Sequence, residues 1–244
     1  MAMVYNGATF AVMMATPHDL DDFALGFSLS EGLIDDPTQL LQVDKRELLE
    51  GIELAIQVSD QASGAHIGRE RERLLPGRSG CGICGTRNLE DAIRQHSPVS
   101  AGHHLTRDAL ERAQLQLQAR QPINEATGAV HAAAWATLDG DIVLVREDVG
   151  RHNALDKLIG AMRLAGRDPE LGFALVTSRA SYEMVTKATS AGITVLAAIS
   201  APTALAIELA RSAGITLVGF TRPGSHNVYT HPGRLLPAAG QALP

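Results

Sequence analysis

Apolar residues recur along this chain at two spacings, one of strands and one of helices. Met3-Val4-Tyr5 and the apolar run from Phe10 to Met14 flank Asn6-Gly7, a strong short-range hairpin signal. Leu20, Phe23, Ala24 and Phe27 then fall at helical spacing, so one helix face is core. Thr16 is the expected N-cap, Pro17 the first helical residue, and Asp19, Asp21 and Asp22 suit the positive end of the dipole. Gly32 is the expected stop. Ile52, Leu54, Ile56 and Val58 alternate with polar or small residues and predict a half-buried strand. Residues 69–78 are charged and almost without periodicity, which predicts a linker.

Beyond that linker a short helix is expected over 88–95 and a better one over 106–120, capped by Thr106. Residues 129–136 are small and read as a helix. Strands are expected over 142–145, 173–176, 194–198 and 215–219. Helices are expected over 153–164, 182–191 and 203–213. Strand and helix alternating at this pace predict a mostly parallel, layered sheet. The fold class is therefore α/β, with an α+β N-terminal part. The domain reading is an N-terminal hairpin, helix and strand unit over 1–78, a linker with the cysteine loop over 79–105, and an α/β unit over 106–244.

Composition narrows the function classes. The chain has 244 residues, 45% of them hydrophobic, enough for a sizeable core. A net charge of −6 gives no general attraction to nucleic acid or to anionic membranes. No apolar run is long enough to span a bilayer, and the first residues lack the pattern of a signal peptide. The expected compartment is the cytoplasm. The alanine-rich helices point toward a homodimer.

The candidate chemistry lies in Gly80-Cys81-Gly82-Ile83-Cys84-Gly85, which holds both cysteines of the chain. A thiol reacts as the thiolate, and neighbouring positive charge lowers its pKa. Arg78 precedes the pair and Arg87 follows it. The glycines leave the backbone free to bend and the sulfurs open to a partner. Three other readings stand beside a reactive thiol. Structural zinc needs about four ligands; His96, His103 and His104 are available, but without zinc-finger spacing. A thioredoxin-type dithiol would open a helix near a βαβ unit. An inert structural pair would need burial that a glycine-rich loop supplies poorly. His131-Ala132-Ala133 imitates the H-x-E of zinc deaminases, yet Ala133 replaces the proton-shuttling glutamate and the cysteines precede the histidine. Deaminase chemistry is not expected.

Other polar positions carry weaker signals. Ser178 to Ser181 and Ser200 to Thr203 each join a strand to a helix and fit either phosphate binding or capping. Arg146, Glu147, Asp148, Arg151, His152 and Asn153 form a dense polar cluster, read as a salt-bridge network.

Several stretches together resemble one family. They are residues 16–34 (TPHDLDDFALGFSLSEGLI), 81–85 (CGICG), 127–134 (TGAVHAAA), 146–159 (REDVGRHNALDKLI), 177–187 (TSRASYEMVTK), 200–203 (SAPT) and 216–232. In this order they resemble FdhD, the sulfur carriers needed for active formate dehydrogenase. The resemblance implies a sulfurtransferase that accepts persulfide sulfur from a cysteine desulfurase. It would pass that sulfur to the molybdenum cofactor, as bis(molybdopterin guanine dinucleotide), before insertion into the formate dehydrogenase apoprotein. By the same resemblance Cys81 is the carrier and Cys84 assists; from the ligand spacing, no structural zinc is expected. The C-terminal unit is implied to resemble the cytidine deaminase fold. The cofactor contact is implied to fall on Phe220, Thr221, Arg222, Pro223, Gly224 and Ser225, after the last strand. Arg222 offers a fork of donors, Gly224 a close backbone approach, and Thr221 and Ser225 hydroxyls. An alternative function is a chaperone that binds the cofactor without sulfur chemistry. Members usually carry additional residues before the first hairpin. If a strand is missing here, the N-terminal sheet lacks an edge partner.

Overall fold

The computed structural model describes residues 1–67, 98–100 and 102–237. The expected linker over 69–78, the helix over 88–95 and both cysteines lie outside the described residues.

Asn6 and Gly7 both have positive φ, 45° and 85°, as a type I′ turn requires. They join β1 (Ala2–Tyr5) to β2 (Ala8–Val12), as the sequence predicts. The Asn6 amide also donates to Val58 O (3.1 Å) and accepts from Val58 N (3.0 Å), locking the turn to β4 (Gly51–Val58). A strand that the periodicity does not predict, β3 (Leu40–Leu48), completes the sheet in the order β2-β1-β4-β3. Asp44, Lys45, Arg46 and Glu47 give β3 the charge pattern of an exposed edge.

Helix α1 (Leu20–Ser30) starts later than expected. Thr16 is not its cap. The Thr16 hydroxyl accepts from Val149 N (3.0 Å), its N–H donates to Asp148 Oδ2 (2.9 Å), and its carbonyl accepts from Lys157 Nζ (2.9 Å). Long-range bonds therefore outcompete local capping. The predicted stop is present: Gly32 has φ 65°, and Gly32 N and Leu33 N donate back to Leu29 O and Ser28 O. This is a Schellman ending.

The second sheet has six strands in the order β11-β10-β9-β8-β6-β7. They are β6 (His131–Thr137), β7 (Ile142–Asp148), β8 (Gly172–Val176), β9 (Val195–Ala198), β10 (Thr216–Arg222) and β11 (Ser225–Val228). Only the β8-β9 and β9-β10 pairs are parallel; β6-β7, β6-β8 and β10-β11 are antiparallel. The sheet is thus mixed rather than mostly parallel. The helix expected over 129–136 is strand β6, and the deaminase-like helix opening at His131 goes with it. A short apolar run fits either element. Two ladder partners decide for strand here, and its alternate residues serve both faces. Ala132, Ala134 and Ala136 join one core; Ala133 and Trp135 join the other.

Helix α2 (Arg107–Gln118) covers the first of these faces through Leu110, Ala113 and Leu117. Thr106 caps it, accepting from Ala109 N (3.1 Å). Helices α4 (Arg151–Leu164), α5 (Tyr182–Ser190) and α6 (Ala204–Ser212) cover the other face. A short α3 (Pro122–Thr127) precedes β6, and a two-stranded parallel pair joins β5 (Leu105–Thr106) to β12 (Leu235–Leu236). The two sheets meet through α1 and α4, which touch backbone to backbone. A Cβ at Gly26 would lie 1.7 Å from Asp156 O, and one at Gly160 1.9 Å from Asp22 O. Only glycine fits at either position.

Candidate functional site

Parallel strands β8, β9 and β10 end on one edge of the second sheet, the edge where open α/β sheets receive ligands. The loops beyond them are tied in series. Thr203 N donates to Ala180 O (2.9 Å), and Phe220 N to Ser200 O (3.2 Å). Gly219 passes so close to Pro202 that a Cβ would lie 2.7 Å from its Cδ.

The six residues 220–225 do not follow the last strand. They form the bend between β10 and β11, with a register shift between Gly219 and Arg222. Phe220 sits at φ 51°, a left-handed conformation that costs a non-glycine residue about 1 kcal/mol or more, and its ring remains exposed. Thr221 is buried, with no hydrogen-bond partner for Oγ1. Arg222, Pro223, Gly224 and Ser225 are exposed. Gly224 has φ 72° and open space around it, but its N–H donates to Glu111 Oε1 on α2 (3.1 Å). Arg222 and the open glycine fit an anionic ligand. Glu111 does not, and a phosphate would have to displace its carboxylate.

The polar cluster after β7 divides in two. One part is a salt-bridge network, as its composition predicts. Asp148 is fully buried and accepts from Thr16 N, Gly150 N and Asn153 Nδ2, with Lys157 Nζ at 2.7 Å. Glu147 accepts from the first amides of α3, Ile123 N and Asn124 N. Arg146 pairs with Asp22 at 2.6 Å. Asp148 is thus filled by four donors, while Glu147 and Asp22 are tied to two amides and to a guanidinium.

The other part opens toward the strand ends. His152 Nε2 lies 3.5 Å from Ser181 Oγ and 3.9 Å from Glu183 Oε2. Burial first, and then the neighbouring Arg151 guanidinium, hold His152 down to about 3. It is therefore a neutral imidazole at physiological pH, and the Glu183 contact is no ion pair. His131, at the start of β6, is lowered by burial and by the same arginine. Arg151 Nε and Glu183 Oε2 are buried without a hydrogen-bond partner. Thr203 caps α6, accepting from Ala206 N (3.2 Å), whereas Ser181 makes no capping bond. Capping thus accounts for the first residue and not for the second. Sequence reasoning passed over Glu183, because an acidic residue in the first turn of a helix reads as a partner of the dipole.

Cys81 and Cys84 lie outside the described residues. Ile67 is the last described residue before the cysteines, and the described chain resumes beside Val99, whose N–H donates to Ala213 O at the end of α6. Gly102 rests against Thr194, just before β9. The return point is therefore on the edge of the sheet opposite the strand ends. Among the described residues, no three His, Cys, Asp or Glu side chains converge as a metal ion requires, and no helix is long and apolar enough to cross a membrane.

Relatives agree over almost the whole chain. The sequence model of the FdhD/NarQ family matches residues 1–236. A Xanthomonas euvesicatoria pv. vesicatoria protein named sulfur carrier protein FdhD is 56% identical over 235 residues, covering 96% of this chain and 83% of its own. The Cupriavidus necator protein of the same name is 52% identical over 237 residues, covering 96% of this chain and 81% of its own. Among solved structures, a candidate formate dehydrogenase accessory protein from Desulfotalea psychrophila superposes with a TM-score of 0.73 at 23% identity. That match covers 96% of this chain and 87% of the other, and bears on the fold. The chain belongs to the FdhD/NarQ family.

Proposed function

We propose that this protein is a sulfur carrier serving formate dehydrogenase, with Cys81 as the carrying thiol and Cys84 assisting it. The observation that carries the reading is the 56% identity to a protein named sulfur carrier, in a chain whose two cysteines form one glycine-flanked CGICG. The Cys81 thiolate attacks the outer sulfur of a persulfide on a cysteine desulfurase. That S–S bond breaks, the desulfurase thiolate leaves, and Cys81 becomes a persulfide. The acceptor is the molybdenum cofactor in its bis(molybdopterin guanine dinucleotide) form, which is substrate here and goes on to the formate dehydrogenase apoprotein. For delivery, the Cys84 thiolate attacks the inner sulfur of the Cys81 persulfide. A Cys81–Cys84 disulfide forms, the outer sulfur departs as sulfide to the metal, and a dithiol reductant restores the pair.

The acceptor's phosphates and ring systems suit the strand-end edge. Arg222, the open Gly224 and the unpartnered Thr221 hydroxyl stand at one end of it. At about 3.3 Å per residue, the chain between Ile67 and Val99 is long enough to bring Cys81 across the sheet from its return point. In this reading, residues 79–105, with the carrier cysteine, link a unit at 1–78 to a deaminase-like unit at 106–244, and the protein works in the cytoplasm as a homodimer. The alternative is a chaperone that binds the cofactor without sulfur chemistry. The orphaned polar atoms on the edge favour a ligand there under either reading.

Intact mass after incubation with a desulfurase and cysteine separates them. The carrier gains one sulfur, and Cys81→Ala does not. A wild-type protein without the adduct, or an adduct that survives Cys81→Ala, refutes the carrier.

A further inference from the structure

Helices from the two cores bring polar groups to one sealed point. Asp156 on α4 and Lys187 on α5 have side chains only 1% and 8% exposed, and the end of α1 adds Ser30 and Glu31. Lys187 Nζ divides its N–H groups among Ser30 Oγ, Glu31 Oε1 and Asp156 Oδ2, each at 2.9 Å, and lies over the Phe27 ring. Asp156 holds α1 in two ways. Its carbonyl packs on Gly26, and its Oδ1 accepts from Ser30 Oγ at 2.6 Å. A carboxylate sealed from water, sharing its ammonium with a second carboxylate, is costly to keep ionised.

Ser30 provides for a proton there. A hydroxyl has one donor and two acceptor sites. With Asp156 ionised, Ser30 donates to Asp156 Oδ1 and accepts from Lys187, while Phe27 O stands 3.3 Å from Ser30 Oγ as a second acceptor. With Asp156 protonated, the carboxyl donates to Ser30, Ser30 still accepts from Lys187, and its own hydrogen turns to Phe27 O. Each donor of the cluster keeps an acceptor in both states.

We propose that Asp156, Ser30 and Lys187 form a proton-operated switch in the joint between the two halves of the molecule. One proton taken up by Asp156 reverses the Asp156–Ser30 hydrogen bond, and the joint is firmer in the protonated state. Burial pushes the Asp156 carboxyl up to about 6, against the pull of Lys187 and Ser30, and Glu31 adds to the rise. The folded chain therefore binds this proton more tightly than the unfolded one. Its contribution is complete below the ordinary 3.8 and is lost as pH rises through about 6. Burial disfavours the charge on Lys187, but Asp156 and Glu31 outweigh it and keep the ammonium protonated. Tyr5 on β1, bonded to Ser28, also faces Asp156 and Glu31, and burial keeps its phenol neutral. His152 on α4, beside Arg151, faces Lys187 and Glu31 and titrates in the opposite sense. None of these groups takes part in the sulfur chemistry above.

The test is a pH titration of the full chain by infrared difference spectroscopy, comparing wild type with Asp156→Asn. An asparagine amide donates to Ser30 and accepts from Lys187 as the protonated acid does, and it leaves His152 in place. Wild type should gain the carbonyl band of a buried protonated carboxyl with a midpoint near pH 6, and the variant should lack it. The Phe27 carbonyl carbon, followed by NMR, should shift with the same midpoint in wild type and stay fixed in the variant. In urea, the wild-type unfolding constant should fall about tenfold from pH 7 to pH 5 relative to the variant. If the variant does not fold, the wild-type band and carbon shift decide. A wild type without that band, or a Phe27 carbonyl that does not follow it, overturns the proposal.

Discussion

Gly26 on α1 and Gly160 on α4 face each other's helix across a gap that admits no side chain. Each glycine packs on a carbonyl of the opposite helix, Asp156 O and Asp22 O. Because α1 belongs to the first sheet's core and α4 to the second's, this contact sets how the two halves of the molecule meet.

Gly26→Ala should therefore cost about 3 kcal/mol or more of unfolding free energy, the upper end for overpacking a dense contact. The atoms in its way are backbone atoms that cannot rotate away. Gly166→Ala is the comparison. That residue has open space around it and φ 59°, so only backbone strain of about 1 kcal/mol is expected. Urea denaturation of both variants measures the difference, and equal losses would contradict the backbone contact.

The Lys157–Asp148 pair is wholly buried at 2.7 Å. Lys157→Met leaves Asp148 charged and without its cation, and should destabilise by about 3–5 kcal/mol. Adding Asp148→Asn should recover part of that loss, although Thr16 N and Gly150 N then face a weaker acceptor. A double-mutant cycle by chemical denaturation reads the coupling, and additive losses would show that the pair contributes nothing as a pair.

His152 gives stability a sign with pH. Its pKa falls to about 3 in the fold, from an ordinary 6.5. The unfolded chain binds this proton and the folded one does not, so the contribution is intact above about pH 6.5 and is lost as pH falls toward 3. By linkage the loss is about 2 kcal/mol at pH 5. Asp156 works in the opposite sense, because burial raises its carboxyl to about 6 despite Lys187 beside it. The difference between wild type and His152→Gln isolates the histidine. The variant should lose less stability than wild type between pH 7 and pH 5, and parallel profiles would count against a buried neutral imidazole.

Glu111 occupies the Gly224 N–H that an anion at residues 220–225 would use. Glu111→Ala should tighten GDP binding about fivefold, corresponding to about 1 kcal/mol, by freeing a donor and removing a like charge. Titration calorimetry at two salt concentrations measures it. Weaker or unchanged binding would place the phosphates elsewhere.

Cys84→Ala should still gain one sulfur from a desulfurase but fail to release it, because the attacking thiol is gone. Mass spectrometry before and after addition of the acceptor tests this. A variant that releases sulfur as wild type does would remove Cys84 from the delivery step.

Local signals determined much of this protein. Asn6-Gly7 specified a type I′ hairpin, Gly32 a helix stop and Thr106 a cap, because each acts through bonds within a few residues. Strands β4, β7, β8, β9 and β10 and helices α2, α4, α5 and α6 were legible from period and punctuation. The CGICG motif stood out as candidate chemistry. Tertiary structure decided what depends on distant partners. Residues 129–136 became β6 because β7 and β8 both pair with it, a fact no alanine run reveals. Thr16 gave up a cap for Asp148 and Val149, more than a hundred residues away. Residues 220–225 became a hairpin bend because β11 returns to β10. Glu183 and Arg151 stood out only once folding had buried a carboxylate oxygen and a guanidinium nitrogen without partners. Sequence records which groups a chain possesses; burial and pairing, which give those groups their energies, exist only in the folded molecule.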